Sequence, residues 1–124
     1  MKVAIFGIGL IGGSLAKDLR ESKFASEIIG VENSESHAEK ALGLGLVDRI
    51  ETKDEAIKNA DLIILTVPVN ALIDELKYVL ERITPDKIVT DCGSTKGVII
   101  DAVKNSPNRN RYVASHPMAG TEYS

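Results

Sequence analysis

Gly7, Gly9 and Gly12 stand in the spacing G-x-G-x-x-G, directly after the apolar run Lys2–Phe6. The pattern suits a loop that receives a pyrophosphate, and each glycine has its own reason. Gly7 permits a tight turn. Gly9 lacks a Cβ, so phosphate can approach the backbone. Gly12 lets the following helix pack close to the strand. With the intervening Ile8, Leu10 and Ile11, these residues would offer phosphate the free N–H groups and positive dipole end of a helix. Glu32 falls 20 residues after Gly12, at the end of a second apolar run. An acid there accepts hydrogen bonds from ribose hydroxyls and repels a 2′-phosphate. No Arg or Lys lies between Glu32 and Glu39, so the expected cofactor is NAD rather than NADP. A glycine-rich turn without ligand and a solvated surface glutamate are the plainer alternatives.

Three later segments carry further chemistry. Thr66-Val67-Pro68 ends an apolar run and is expected to line the nicotinamide half of the cofactor, although Pro68 also simply stops a strand. Ser94 follows Asp91-Cys92-Gly93 and suits a helix N-cap, with a hydroxyl that would also face a cleft. Cys92 reads as a small buried residue, since no activating base is evident. Lys96 reads as helix surface. His116 closes the last apolar run and precedes a proline turn, a placement for an acid or base near neutral pH. His37 lies in a polar helical segment and is expected to be solvated.

The elements that would position these residues alternate. Strands are expected at Lys2–Phe6, Glu27–Val31, Val47–Glu51, Asp61–Val67, Asp86–Asp91 and Arg111–Ser115. Helices are expected from the glycine loop through Leu19, over Ser34–Leu42 and Asp54–Asn59, through Ala71, Leu72, Leu76, Val79 and Leu80, and over Ser94–Lys104. Asn105–Asn110 reads as an irregular turn. Continuous apolar strands alternating with helices predict an α/β fold with a doubly wound parallel sheet covered on both faces, the Rossmann-type dinucleotide-binding domain. In such a sheet ligands bind outside the carboxyl ends of the strands, where every candidate residue above falls.

Composition agrees. The chain has 124 residues, 44% hydrophobic, 27% charged and 4% aromatic, with a net charge of −3. These values fit one ordinary globular domain. Charges are mixed, without the basic patch that nucleic acid would require. No apolar stretch nears the ~20 residues of a membrane span. The apolar start holds four glycines among its first 13 residues, followed by Lys17, Asp18 and Arg20, which is unlike a secretory signal. A single cysteine fits a cytoplasmic setting.

Three motifs together resemble the prephenate dehydrogenase family: Gly7-Ile-Gly-Leu-Ile-Gly-Gly-Ser14, the Asp91-x-Gly-Ser-x-Lys96 run, and His116-Pro-Met-Ala-Gly-Thr-Glu122. The first is common to many dehydrogenases and the third is far more specific. The resemblance implies oxidative decarboxylation of prephenate to 4-hydroxyphenylpyruvate, on the route to tyrosine. A hydride passes to NAD and the ring carboxylate leaves as carbon dioxide. Aromatisation drives the reaction, so no metal is expected. His116 would accept the hydrogen bond of the ring hydroxyl, and Ser94 would hold the same region and the histidine. Thr121 and Glu122 would shape the substrate pocket or its gate. Glu32 stands where the family often has aspartate, keeping the acid on a longer arm.

The same resemblance implies a second, mostly helical domain that forms a homodimer and binds the substrate's carboxylates. It is expected to lie outside these 124 residues, leaving residues 1–124 as the NAD-binding domain, with negligible turnover in isolation. Arogenate dehydrogenase and a non-catalytic NAD-binding module are the alternative functions. A more distant β-hydroxyacid dehydrogenase or imine reductase fits the His116–Glu122 run poorly.

Overall fold

A computed structural model of the chain describes residues 1–91, 103–106 and 108–113. The expected helix over Ser94–Lys104 falls almost wholly outside them, as do Ser94, His116, Thr121 and Glu122.

The described elements run β1 (Lys2–Phe6), α1 (Leu10–Glu21), β2 (Glu27–Val31), α2 (Glu35–Gly43), β3 (Arg49–Ile50), α3 (Lys53–Asn59), β4 (Leu62–Leu65), α4 (Val69–Leu80), β5 (Ile88–Asp91), a 3-10 turn (Arg109–Arg111) and β6 (Tyr112–Val113). All strands pair in parallel. The sheet order is β3-β2-β1-β4-β5-β6, the doubly wound order expected from the sequence. Among the described residues, no helix is long and apolar enough to cross a membrane.

Strand periodicity sorts the core into two layers. Val3, Ile5, Ile28 and Ile64 pack on one face with Ala16 of α1 and Ala41 of α2. Ala4, Phe6, Ile29, Ile63 and Leu65 pack on the other with α3 and α4. From α4, Leu72, Leu76, Val79 and Leu80 are fully buried. Their i, i+4, i+7, i+8 spacing is one helical stripe, and each contributes roughly 1.5–3 kcal/mol of burial. The chain steps from β1 outward to β3, returns past β1 and steps outward again from β4. Right-handed crossovers in opposite directions put the two helix pairs on opposite faces.

Several boundaries are shorter than the sequence predicts, because side chains at strand ends take other work. β3 holds only Arg49 and Ile50. Val47 is buried beneath α1 and α2, and the Asp48 carboxylate accepts the Ile28 N–H at 2.7 Å. That bond and the Arg20 guanidinium hold the Asp48 carboxyl below its usual range, against partial burial. β4 stops at Leu65 rather than Val67, since Pro68 begins the turn into α4. β5 starts at Ile88 rather than Asp86. Lys87 turns away to donate to Lys58 O at 2.9 Å and Ala60 O at 2.6 Å, closing the carboxyl end of α3. Ser34 caps α2, which runs one residue later than expected at both ends, and Thr52 caps α3, which starts one residue earlier and ends at Asn59 as expected.

Candidate nucleotide-binding site

The sheet reverses its direction of travel between β1 and β4, so their carboxyl ends border the crevice where such folds bind ligands. The loops there are Gly7–Gly9 and Thr66–Pro68. The helices that follow, α1 and α4, have no side-chain cap and no acid in their first turn. By contrast α2 is capped by Ser34 and carries Glu35, and α3 has a Thr52–Glu55 capping box beside Asp54. The two helix starts at the crevice thus keep unshared N–H groups and an uncompensated positive dipole, which favour an anion.

The three glycines differ in what surrounds them. Gly7 has φ +90°, and a Cβ there would press on Val67 Cγ1 at 3.2 Å and Val67 N at 3.3 Å. It also donates its N–H to Val31 O at 2.8 Å. A Cβ on Gly12 would drive into Gly7 O and sit 3.0 Å from Thr66 Oγ1. Gly9, the N-cap residue of α1, has open space within 4 Å of where its Cβ would lie. Backbone is therefore exposed to an incoming group at Gly9 and sealed against its neighbours at Gly7 and Gly12. Ile8 is buried, and Leu10 and Ile11 form the first turn of α1.

Glu32 lies just beyond β2, its side chain 12% exposed. Oε1 accepts the Ile8 N–H at 2.7 Å and Oε2 accepts the Ser34 N–H at 3.0 Å. The acid read from the sequence as a ribose acceptor is thus also bound to the glycine loop, a role without sequence signal. Each carboxylate oxygen keeps a further lone pair for a hydroxyl. His37 Nδ1 is 4.0 Å from Glu32 Oε2, and the imidazole is 59% exposed, as a solvated residue should be. A groove of about 550 Å³ between α1 and α2 reaches from Gly9 past Lys17, His37 and Lys40 to Leu46. The two lysines lie on separate helices, which spacing near Glu32 did not reveal.

The Thr66 hydroxyl bonds Phe6 O at 2.8 Å and also Gly7 O, so it faces the β1 loop. Val67 packs against Gly7, and Pro68 is exposed. Across the sheet, Asp91 at the end of β5 and Tyr112 at the start of β6 form a buried pair. The Tyr112 hydroxyl donates to Asp91 Oδ1 at 2.6 Å. Burial first, and then the Asp91 carboxylate, push the Tyr112 phenol above its ordinary value of 10.0. A larger cavity, about 680 Å³ and lined by Asp54, Lys58, Arg82 and Lys87, lies at the opposite edge of the sheet, away from the strands' carboxyl ends.

Known proteins with this sequence pattern and fold agree in kind. The chain is 35% identical to prephenate dehydrogenase of Bacillus subtilis (strain 168), over 98% of this chain and 34% of that protein. The crystal structure of prephenate dehydrogenase from A. aeolicus, in complex with hydroxyphenyl propionate and NAD+, superposes with a TM-score of 0.84 at 34% identity. It covers 97% of this chain and 42% of that one. Synechocystis arogenate dehydrogenase gives a TM-score of 0.79 at 31% identity, over 94% of this chain and 41% of that one. The chain spans about a third of the length of the curated relatives it matches. The family model described as "Prephenate dehydrogenase, nucleotide-binding domain" matches residues 15–124, and the chain belongs to that family.

Proposed function

We propose that this chain is the cofactor-binding part of an NAD-dependent dehydrogenase that converts prephenate to 4-hydroxyphenylpyruvate by oxidative decarboxylation. The observation that carries the reading is the crevice between β1 and β4. There an uncapped helix start, an open Gly9 and the Glu32 carboxylate converge. Those features fit NAD: the first turn of α1 would hold the pyrophosphate and Glu32 the adenosine ribose. Bound there, NAD supplies the hydride acceptor. The sequence assigns His116 to draw the proton from the ring hydroxyl, Ser94 to hold that region, and Thr121 and Glu122 to shape the pocket. Aligning the substrate carbon with the nicotinamide is the main task. The rest of the substrate site, and the contacts of a homodimer, are assigned to sequence that the relatives carry beyond the matched region.

Calorimetric titration tests the cofactor. NAD should bind, and NADP should bind at least about tenfold more weakly, since the Glu32 carboxylate meets a 2′-phosphate as like charge. Equal or tighter NADP binding would sink the assignment. NADH formation from prephenate tests the reaction. In a full-length protein carrying this domain, His116→Asn should cost about 100-fold or more in rate with NAD affinity kept. A variant as active as its parent would remove His116 from the chemistry. Arogenate is the second reading, favoured by the likeness to the Synechocystis enzyme. Side-by-side rates on the two substrates separate them.

A further inference from the structure

The Gly7 carbonyl and the Ile8 N–H belong to one peptide unit, and each end of it meets a side chain from a different strand. The Thr66 hydroxyl, just past β4, bonds Gly7 O. The Glu32 carboxylate, just past β2, accepts the Ile8 N–H at 2.7 Å. β2 and β4 flank β1 in the sheet, so the two strand ends approach this peptide from either side. We propose that Thr66 and Glu32 form a two-sided clamp on the Gly7–Ile8 peptide, and that Thr66 is thereby a positioning residue for the pyrophosphate-receiving loop. The inference rests on the NAD-binding reading above.

A planar peptide flanked by glycine has one soft motion, rotation about the line joining its Cα atoms. A donor on its carbonyl and an acceptor on its N–H block that motion together. A flipped peptide would aim Gly7 O at the Glu32 carboxylate and the Ile8 N–H at the Thr66 side. Gly7 O also bears directly on Gly12, whose missing Cβ leaves room for it. The orientation of this peptide therefore sets how α1 presents its first N–H groups. Only a carboxylate offers both oxygens as acceptors to Ile8 and Ser34 at once. Thr66 has a separate backbone role: its N–H donates to Phe6 O at 2.9 Å. The hydroxyl also lies 2.8 Å from Phe6 O, but that carbonyl keeps the Thr66 N–H when the hydroxyl is removed, so the loss falls on Gly7 O.

Thr66→Val keeps the side-chain shape and removes the donor, while Thr66→Ser keeps the donor. Titration of the 124-residue chain should show Thr66→Val binding NAD and ADP-ribose about tenfold more weakly, the scale of one lost hydrogen bond. Thr66→Ser should stay within about twofold of the parent. Adenosine, which has no pyrophosphate, should bind the parent and Thr66→Val alike. Because both side chains act on one peptide, Glu32→Gln and Thr66→Val combined should cost less than the product of their separate losses. Thr66→Ala serves in place of Thr66→Val if the latter does not fold. Unchanged NAD affinity in Thr66→Val, a Thr66→Ser as weak as Thr66→Val, an equal loss for adenosine, or independent losses in the double variant would each overturn the clamp alone. A parent chain that binds no NAD would overturn the cofactor reading and the clamp with it.

Discussion

Adding one methyl group at Gly9 and at Gly12 should have opposite consequences, although the two positions are three residues apart. At Gly12 the new Cβ collides with Gly7 O and lies 3.0 Å from Thr66 Oγ1. Neither neighbour yields easily, because Gly7 O is backbone and Thr66 is bonded to it. Gly→Ala inside a helix gains up to about 1 kcal/mol of propensity, whereas overpacking costs about 1–3 kcal/mol and more against backbone. The collision wins, and Gly12→Ala should lose about 2 kcal/mol. For a domain of this size that lowers the melting temperature by roughly 6–12 °C. At Gly9 a methyl meets nothing within 4 Å, and φ −94° suits alanine. Stability should change by no more than about 0.5 kcal/mol. That methyl would instead stand where the pyrophosphate approaches, and NAD affinity should fall by about tenfold or more, the weight of roughly 1.4 kcal/mol. Thermal melts paired with calorimetric titration read both quantities. A Gly12→Ala protein that melts at or above the parent, or a Gly9→Ala protein that binds NAD as well as the parent, would refute the assignment of these two glycines.

Other consequences are separable by position. Lys87→Met strips the carboxyl end of α3 of its donor to Lys58 O and Ala60 O. It should destabilise the chain by about 1–3 kcal/mol while leaving NAD affinity intact, because Lys87 precedes β5 on the edge away from the crevice. Denaturant melts and titration check both halves. The Tyr112 phenol is held above its ordinary value of 10.0 by burial and by Asp91. Its contribution to stability is therefore whole below pH 10 and declines above it, by up to about 1.4 kcal/mol per pH unit. Melting curves at rising alkaline pH should fall more steeply for the parent than for Tyr112→Phe, and parallel curves would contradict the assignment. Arg49 joins Glu27 at 2.6 Å and Glu51 at 2.5 Å, but its side chain is 39% exposed. Arg49→Ala should shift the melting temperature only slightly, and added salt should shrink the difference.

Much of this was legible in the sequence because it is local. Glycine spacing, the apolar runs and the alternation of strand with helix are set by neighbours along the chain. They predicted the parallel, doubly wound sheet and placed the glycine loop and Glu32 near one another. Boundaries were less legible wherever a side chain bonds across the fold. Lys87 left β5 for the end of α3, and Asp48 shortened β3 by turning to Ile28. No local pattern announces such partners, which are 27 and 20 residues away.

The roles of individual groups at the crevice divide the same way. Glycine spacing and the second apolar run were enough to place a loop suited to phosphate after β1 and an acid at the end of β2. The grip of this acid on Ile8, 24 residues earlier, and the turn of Thr66 back onto Gly7 across 59 residues emerge only in the assembled sheet. Hydrogen bonds of that kind depend on which strands lie beside β1. Strand order is settled by burying two helix layers on one sheet with right-handed crossovers, a property of the whole chain that no short stretch of residues contains.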